Sequence, residues 1–253
     1  LRSGALREAA EFLGRALEVI PGGRERADVL LELEQVLGLL GDRDRQLEDL
    51  RILLEMSEPL GDPVLRCEIL LRQAAFLDAT GKKRDSMGSY DAALELARSA
   101  GDRRAEARIL GRRAMARLFL GEPEAALAEL ESALAAARSA ADRGQEAEAG
   151  QMAGVALYFL GRYDEALAAL GQALSLRREL GEEHRSGALE SNIGLIHFDR
   201  GDFEAAEERF RTSLKTFRRI GLRRGEAVNL ANLGLVHSEM GRYERAIDFI
   251  EEA

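Results

Sequence analysis

The sequence predicts an all-α solenoid of stacked antiparallel helix pairs, and three observations carry that prediction. Helix stops recur at a fixed interval: Gly41, Gly81, Gly121, Gly161, Gly201 and Gly241 stand forty residues apart, with Gly61, Gly101, Gly181 and Gly221 halfway between them and Ala141 in the remaining place. Between stops, apolar residues are spaced by three and four, as in Tyr163, Ala166, Leu167, Leu170, Ala173 and Leu174, which puts them on one helix face. The same columns return forty residues later as Phe203, Ala206, Phe210 and Ser213, and earlier as Ala126, Leu127, Leu130 and Ala133. A period of this length with a stop at its midpoint describes two helices per unit, each pair burying its apolar face only against its neighbours.

Each element has a local reason. Glycine ends a helix because it enters the left-handed conformation without a Cβ clash. An acid often follows it (Asp42, Asp62, Asp102, Asp142, Glu182, Asp202), placed to cap the next helix and to complement its positive end. Asp62-Pro63 and Glu122-Pro123 add proline at the first helical position. The repeat divides the chain into helix pairs at 23–60, 63–100, 103–140, 143–180, 183–220 and 223–253, the last one short, preceded by the second helix of an earlier pair at 5–20. All 253 residues read as a single solenoid. Without Met at position 1, and with the helical pattern stopping at Ala253, the sequence reads as a piece of a longer protein.

These columns resemble the tetratricopeptide repeat family, which pairs a small residue in the first helix with Ala and a bulky residue in the second. Around one stop the sequence reads Leu157, Gly161, Tyr163, Ala166, Leu170 and Ala173; the last copy reads Asn232-Leu233-Gly234, then Gly241, Tyr243 and Ala246. The small position is filled by Ala74, Ala114, Gly154, Gly194 and Gly234. The forty-residue period is similar to the longer-helix subclass of Pins-type polarity scaffolds and large bacterial signalling regulators. The resemblance is strong from about Arg103 onward; before that, Glu34 stands where a small residue is expected, and Gln46 and Ser86 where Ala is expected. It implies a right-handed superhelix whose concave face, lined by the first helix of each pair, binds a partner.

Composition excludes several function classes. The net charge is −9, and Arg is interleaved with Asp and Glu along the whole chain, so no basic stripe for nucleic acid is expected. The one cysteine, Cys67, excludes an internal disulfide framework and fits a reducing, cytoplasmic setting. No run of about eighteen apolar residues predicts a membrane helix.

No catalytic constellation is expected, and neither a metal nor a cofactor. His197 and His237 share a column that is mostly leucine elsewhere, so they read as packing positions, and His184 falls in a turn; a metal site needs further ligands at close spacing. No phosphate loop or nucleophile elbow occurs. Glu207-Glu208 and Glu251-Glu252 read as solvated surface, and Cys67 as a small buried residue in an alanine column.

The candidate partner-binding residues lie on the first helices. The resemblance implies that an Asn before the Leu-Gly step contacts a peptide backbone, which an amide does by both donating and accepting. Asn192 and Asn232 match that position, while Arg72 and Arg112 occupy it in earlier repeats, where a guanidinium could hold a carboxylate bidentately. Gln151 lies in a neighbouring column. Tyr158 and Phe198 could line the groove or pack between helices; for Met115, Phe119 and Phe159 the core is the stronger reading. The expected function is a protein- or peptide-binding scaffold within a larger, bacterial signalling or regulatory protein. The alternative is a small-ligand sensor arm of a multidomain regulator. Self-association through the C-terminal end, with Ile247 and Ile250, is a further expectation.

Overall fold

The computed structural model describes residues 2–253, with side chains from residue 4. The described residues form thirteen α-helices and no strand. The helices fall into two compact units, one running up to Leu120 and the other from Gly121 to Ala253. The first unit holds α1 (Arg2–Val19), α2 (Gly23–Leu40), α3 (Arg43–Leu60), α4 (Pro63–Ala79), α5 (Lys83–Ser99) and α6 (Arg103–Phe119). The second holds α7 (Pro123–Ser139), α8 (Arg143–Phe159), α9 (Tyr163–Glu179), α10 (Glu183–Asp199), α11 (Phe203–Ile220), α12 (Arg223–Glu239) and α13 (Tyr243–Glu252). Within each unit, successive helices pack against one another in antiparallel order.

The periodic stops have the backbone that ends a helix. The recurring glycines all have positive φ, between 60° and 80°, and Ala141 takes the same conformation at φ 51°. Four of the acids after the stops cap as the sequence suggests: Asp42, Asp62, Asp102 and Asp142 accept from backbone N–H groups two or three residues on. Glu182 and Asp202 do not cap. Glu182 instead accepts from the buried Arg177 Nη1 at 2.6 Å, and Asp202 lies 3.4 Å from Arg200 Nε and 3.6 Å from His197 Nδ1. Each of these two carboxylates thus has a guanidinium for its partner in place of the backbone amide.

The small column is a point of close helix approach. A Cβ built on Gly194 would stand 2.7 Å from Phe210 Cε1, and one on Gly154 would stand 2.6 Å from Leu170 Cγ. Both Leu170 and Phe210 are buried, and Phe210 anchors a cluster with Ala206, Leu214, Leu230, Leu233 and Val236 in the second unit. In the first unit the corresponding core is Ala27, Leu30, Leu53, Leu65 and Ile69, with a second cluster of Ala10, Leu33 and Leu37.

The departures from the repeat pattern satisfy one another. Glu34 is only 3 % exposed, and its Oε1 accepts from Gln46 Nε2 at 2.6 Å while its Oε2 accepts from Arg72 Nη1 at 3.1 Å. The two residues that break the small and alanine columns are thus one hydrogen-bonded pair, which is how a carboxylate stays buried. Ser86 is held likewise: its Oγ donates to Asp78 Oδ1 at 2.6 Å, and Tyr90 Oη donates to Asp78 Oδ2 at 2.7 Å.

Candidate partner-binding site

In the second unit the first helices of the pairs, α8, α10 and α12, carry the exposed apolar side chains Phe159, Leu195, Val228 and Leu235. A cleft of about 140 Å³ opens between α8 and α10, lined by Gly154, Val155, Tyr158, Asn192, Leu195 and Ile196, among others. The absent side chain at Gly154 lets Leu170 of α9 form part of its floor. Asn192 and Asn232 are half-buried, and neither side chain hydrogen-bonds to another described residue. Both amides are therefore free to donate and accept. Tyr158 Oη donates to Asp199 Oδ2 on the neighbouring α10; this bond, together with burial, pushes the phenol up to about 12. The tyrosine is fixed as one wall of the cleft and stays neutral.

The candidate residues divide accordingly. Tyr158 and Asn192 meet at the cleft; Gln151 is half-buried on α8 and Asn232 half-buried on α12. Phe198 turns inward, packing on the Phe210 cluster with its ring centroid 5.7 Å from that of Phe203. Phe159 and Phe119 depart from the packing expected of them, at 65 % and 70 % exposed. Each closes the last turn of a first helix, where no further turn covers it. Phe159 lines the cleft, and Phe119 carries the Lys83 ammonium 4.7 Å above its ring. Leu195 and Leu235, 39 % and 54 % exposed, extend the apolar surface onto α10 and α12.

The first unit is different in character. Its cleft, of about 430 Å³, is lined by α2, α4 and α6, with Arg43 and Gln46 contributed by α3. Arg72 is engaged there on both sides: its Nη1 donates to Glu34 and its Nε to Glu68 Oε1 at 2.9 Å. Arg108 Nη2 donates to the second Glu68 oxygen at 2.9 Å. Burial pushes the Glu68 carboxyl up, but the bonds and charges of Arg72 and Arg108 outweigh it and hold it below the usual carboxylate range. Arg112 is exposed and forms no ion pair with another described residue. The sequence pointed to Arg72 and Arg112 alone; Arg43, Arg108 and Glu68 sit at ordinary surface positions of the repeat, and only the pairing of Glu34 with Gln46 marked the region as unusual.

Elsewhere, His237 is fully buried and stacked on Phe249, with Nε2 3.3 Å from Glu207 Oε1. Glu207 is consequently not plain solvated surface: it also accepts from Arg211 and is half-buried. His184 is exposed but lies in the first turn of α10 rather than in a turn between helices, His197 is half-buried and Cys67 buried. Among the described residues, no helix is long and apolar enough to cross a membrane.

Two tetratricopeptide repeat models match the sequence, over residues 151–186 and 185–253. A search of curated protein sequences returned no match. Among solved structures, the chain is similar to a Signal Transduction ATPase with Numerous Domains (STAND) protein with a tetratricopeptide repeat sensor from Pyrococcus horikoshii. That likeness has a TM-score of 0.81 at 16 % identity and covers 99 % of this chain and 39 % of the other, so the chain spans well under half of that protein. It is also similar to BtubC from P. vanneervenii, with a TM-score of 0.70 at 19 % identity over 84 % of this chain and 87 % of that one. A third is NprR in complex with its cognate peptide NprX, with a TM-score of 0.67 at 17 % identity over 100 % of this chain and 73 % of that one. At these identities the likeness is one of fold. The matched models show tetratricopeptide repeats over residues 151–253, and the small-residue column and stacked helix pairs carry the same architecture.

Proposed function

We propose that this chain is the protein- or peptide-binding segment of a larger regulatory protein, and that an extended peptide lies across α8, α10 and α12 of the second unit. The observation that carries the reading is Asn192: a half-buried amide without a partner among the described residues, set in an apolar cleft. A half-buried amide that no described residue meets is open to a ligand, and a peptide backbone offers it both an acceptor and a donor. Asn232 holds the same repeat position one helix pair along and is likewise half-buried. Apolar residues at Phe159, Leu195 and Leu235 would receive alternate side chains, and interface centres favour such residues. NprR, a quorum sensor from B. thuringiensis that shares the fold, is seen with its cognate peptide, and the STAND protein carries its repeats as a sensor; both support a regulatory setting, and the first supports a bacterial one. The buried lone Cys67 accords with a reducing cytoplasm. We assign the chain no catalytic step.

The test is selection of a random peptide library on the chain, followed by amide hydrogen exchange with the tightest peptide. Slowed exchange confined to α8, α10 and α12 supports the reading. Slowed exchange confined to α9 and α11 moves the site to the second helices and removes the proposed face.

A further inference from the structure

The first unit carries a charge imbalance inside a cavity, and the imbalance has a direction. Four guanidiniums (Arg43, Arg72, Arg108 and Arg112) and two carboxylates (Glu34 and Glu68) line the 430 Å³ cleft. Both carboxylates are already shared: Glu34 between Gln46 and Arg72, Glu68 between Arg72 and Arg108. These bonds neutralise Arg72 and Arg108 and fix the floor of the cleft on α4. Among the described residues, Arg112 on α6 makes no hydrogen bond or ion pair, its charge acting only on the neutral Tyr90 phenol, and the Arg43 side chain donates only to the neutral Gln46 Oε1, at 2.6 Å. Two positive charges thus face the cavity without matching negative ones. The same cleft is lined by the apolar Leu39, which is exposed, and Ala75. A cavity of this size falls in the range of about 300–1,000 Å³ typical of small-molecule sites. The guanidinium fork matches the two oxygens of a carboxylate, and a cavity wall that excludes water strengthens that pairing.

We propose that this cleft binds a small organic dicarboxylate, one carboxylate on Arg112, the other on Arg43, and an apolar spacer over Leu39 and Ala75. The site is separate from the peptide face of the second unit and does not depend on that reading. Within the regulatory segment it would supply a second input, a metabolite-sized dianion beside a peptide. The same carboxylates could also arrive on glutamate side chains of a protein, and the experiment separates the two sources.

Isothermal titration of the whole chain with isophthalate is the direct test, with the neutral isophthalamide as a shape-matched control and the tetrapeptide acetyl-Glu-Leu-Leu-Glu-amide as the protein-borne source. The proposal predicts that isophthalate binds at least tenfold more tightly than isophthalamide and more tightly than the tetrapeptide. Arg43→Ala and Arg112→Ala should each weaken it at least fivefold, and Arg112→Lys, which keeps the charge but loses the fork, should fall between. Both side chains are exposed and hold no buried carboxylate, so the variants should keep the wild-type circular dichroism spectrum; if either does not, Arg112→Lys alone decides, by weakening isophthalate binding or leaving it unchanged. Asn192→Ala should leave isophthalate binding intact, which keeps a failure of the peptide reading distinct from a failure here. Equal binding of isophthalate and isophthalamide, or binding indifferent to the Arg112 substitutions, overturns the proposal. Tighter binding of the tetrapeptide also overturns it and assigns the cleft to an acidic protein segment.

Discussion

Glu34 and Gln46 are hydrogen-bonded to each other inside a small network, with Arg72 also on Glu34 and the exposed Arg43 also on Gln46. Glu34 is 3 % exposed and takes hydrogen bonds from Gln46 Nε2 at 2.6 Å and Arg72 Nη1 at 3.1 Å. Replacing Gln46 with leucine keeps the volume but removes one donor from a buried carboxylate, a loss of about 1–3 kcal/mol. Replacing Glu34 with alanine leaves the buried Gln46 amide N–H without its acceptor and should also cost about 1–3 kcal/mol. Arg72 retains Glu68 in both variants. The double variant Glu34→Ala/Gln46→Leu leaves neither orphan and returns the small column to the residue found at Ala74 and Ala114. It should lie within about 1 kcal/mol of wild type, because removing both members of a polar pair is far less costly than removing one. The implied coupling, on the order of 2 kcal/mol, falls within the range for residues in direct contact. Urea unfolding followed by circular dichroism measures the three variants, with amide exchange in α2 and α3 as a local readout. Additive single effects would refute the reasoning, since they would mean that the two residues stabilise the unit independently.

Gly194→Ala should destabilise by up to about 2 kcal/mol, since overpacking against the buried Phe210 costs about 1–3 kcal/mol and better helix propensity returns about 1. Gly171→Ala, in an open position of α9, should instead stabilise by about 0.4–1 kcal/mol in the same urea titration. Ala141→Gly should stabilise by about 1 kcal/mol, because Ala141 holds a left-handed backbone at φ 51° that a Cβ disfavours. Asp49 carries a buried oxygen without a partner, and burial, assisted by Glu34, Glu48 and Asp42 against Arg45, pushes its carboxyl from the ordinary 3.8 up to about 6. Between those values the folded chain keeps a proton that the unfolded chain has lost, so this residue makes stability fall as pH rises from about 4 to 6. Asp49→Asn should flatten that slope and raise the melting temperature at pH 7; an unchanged slope would show that Asp49 ionises freely in the fold.

The fold was legible because its signals are local. A glycine needs no distant partner to take positive φ, and an Asp at 42, 62, 102 or 142 reaches a backbone amide within its own turn. Where the outcome depended on residues distant in sequence, periodicity could not reach it. Asp202 has the position of a cap but lies against His197 and Arg200 instead. Glu34 looked like a flaw in the small column until Gln46 and Arg72 were seen around it. The candidate sites show the same division. The columns placed Asn192 and Tyr158 on one face, yet Phe198, in the same column as Tyr158, faces the core because Phe203 and the Phe210 cluster receive it. Arg112 was visible as a departure from asparagine, but its unmatched charge depends on where Glu34 and Glu68 find their partners, across 38 to 40 residues of sequence.

The central claim is that the unpaired amides of the second unit hold a peptide backbone. Fluorescence polarisation of the tightest library-selected peptide against wild type and Asn192→Ala/Asn232→Ala measures it most directly, with both proteins first shown to have the same melting temperature. The expected loss in affinity is about five- to 150-fold, since two amide–backbone contacts at about 0.5–1.5 kcal/mol each are removed. Unchanged affinity in the double variant would contradict it.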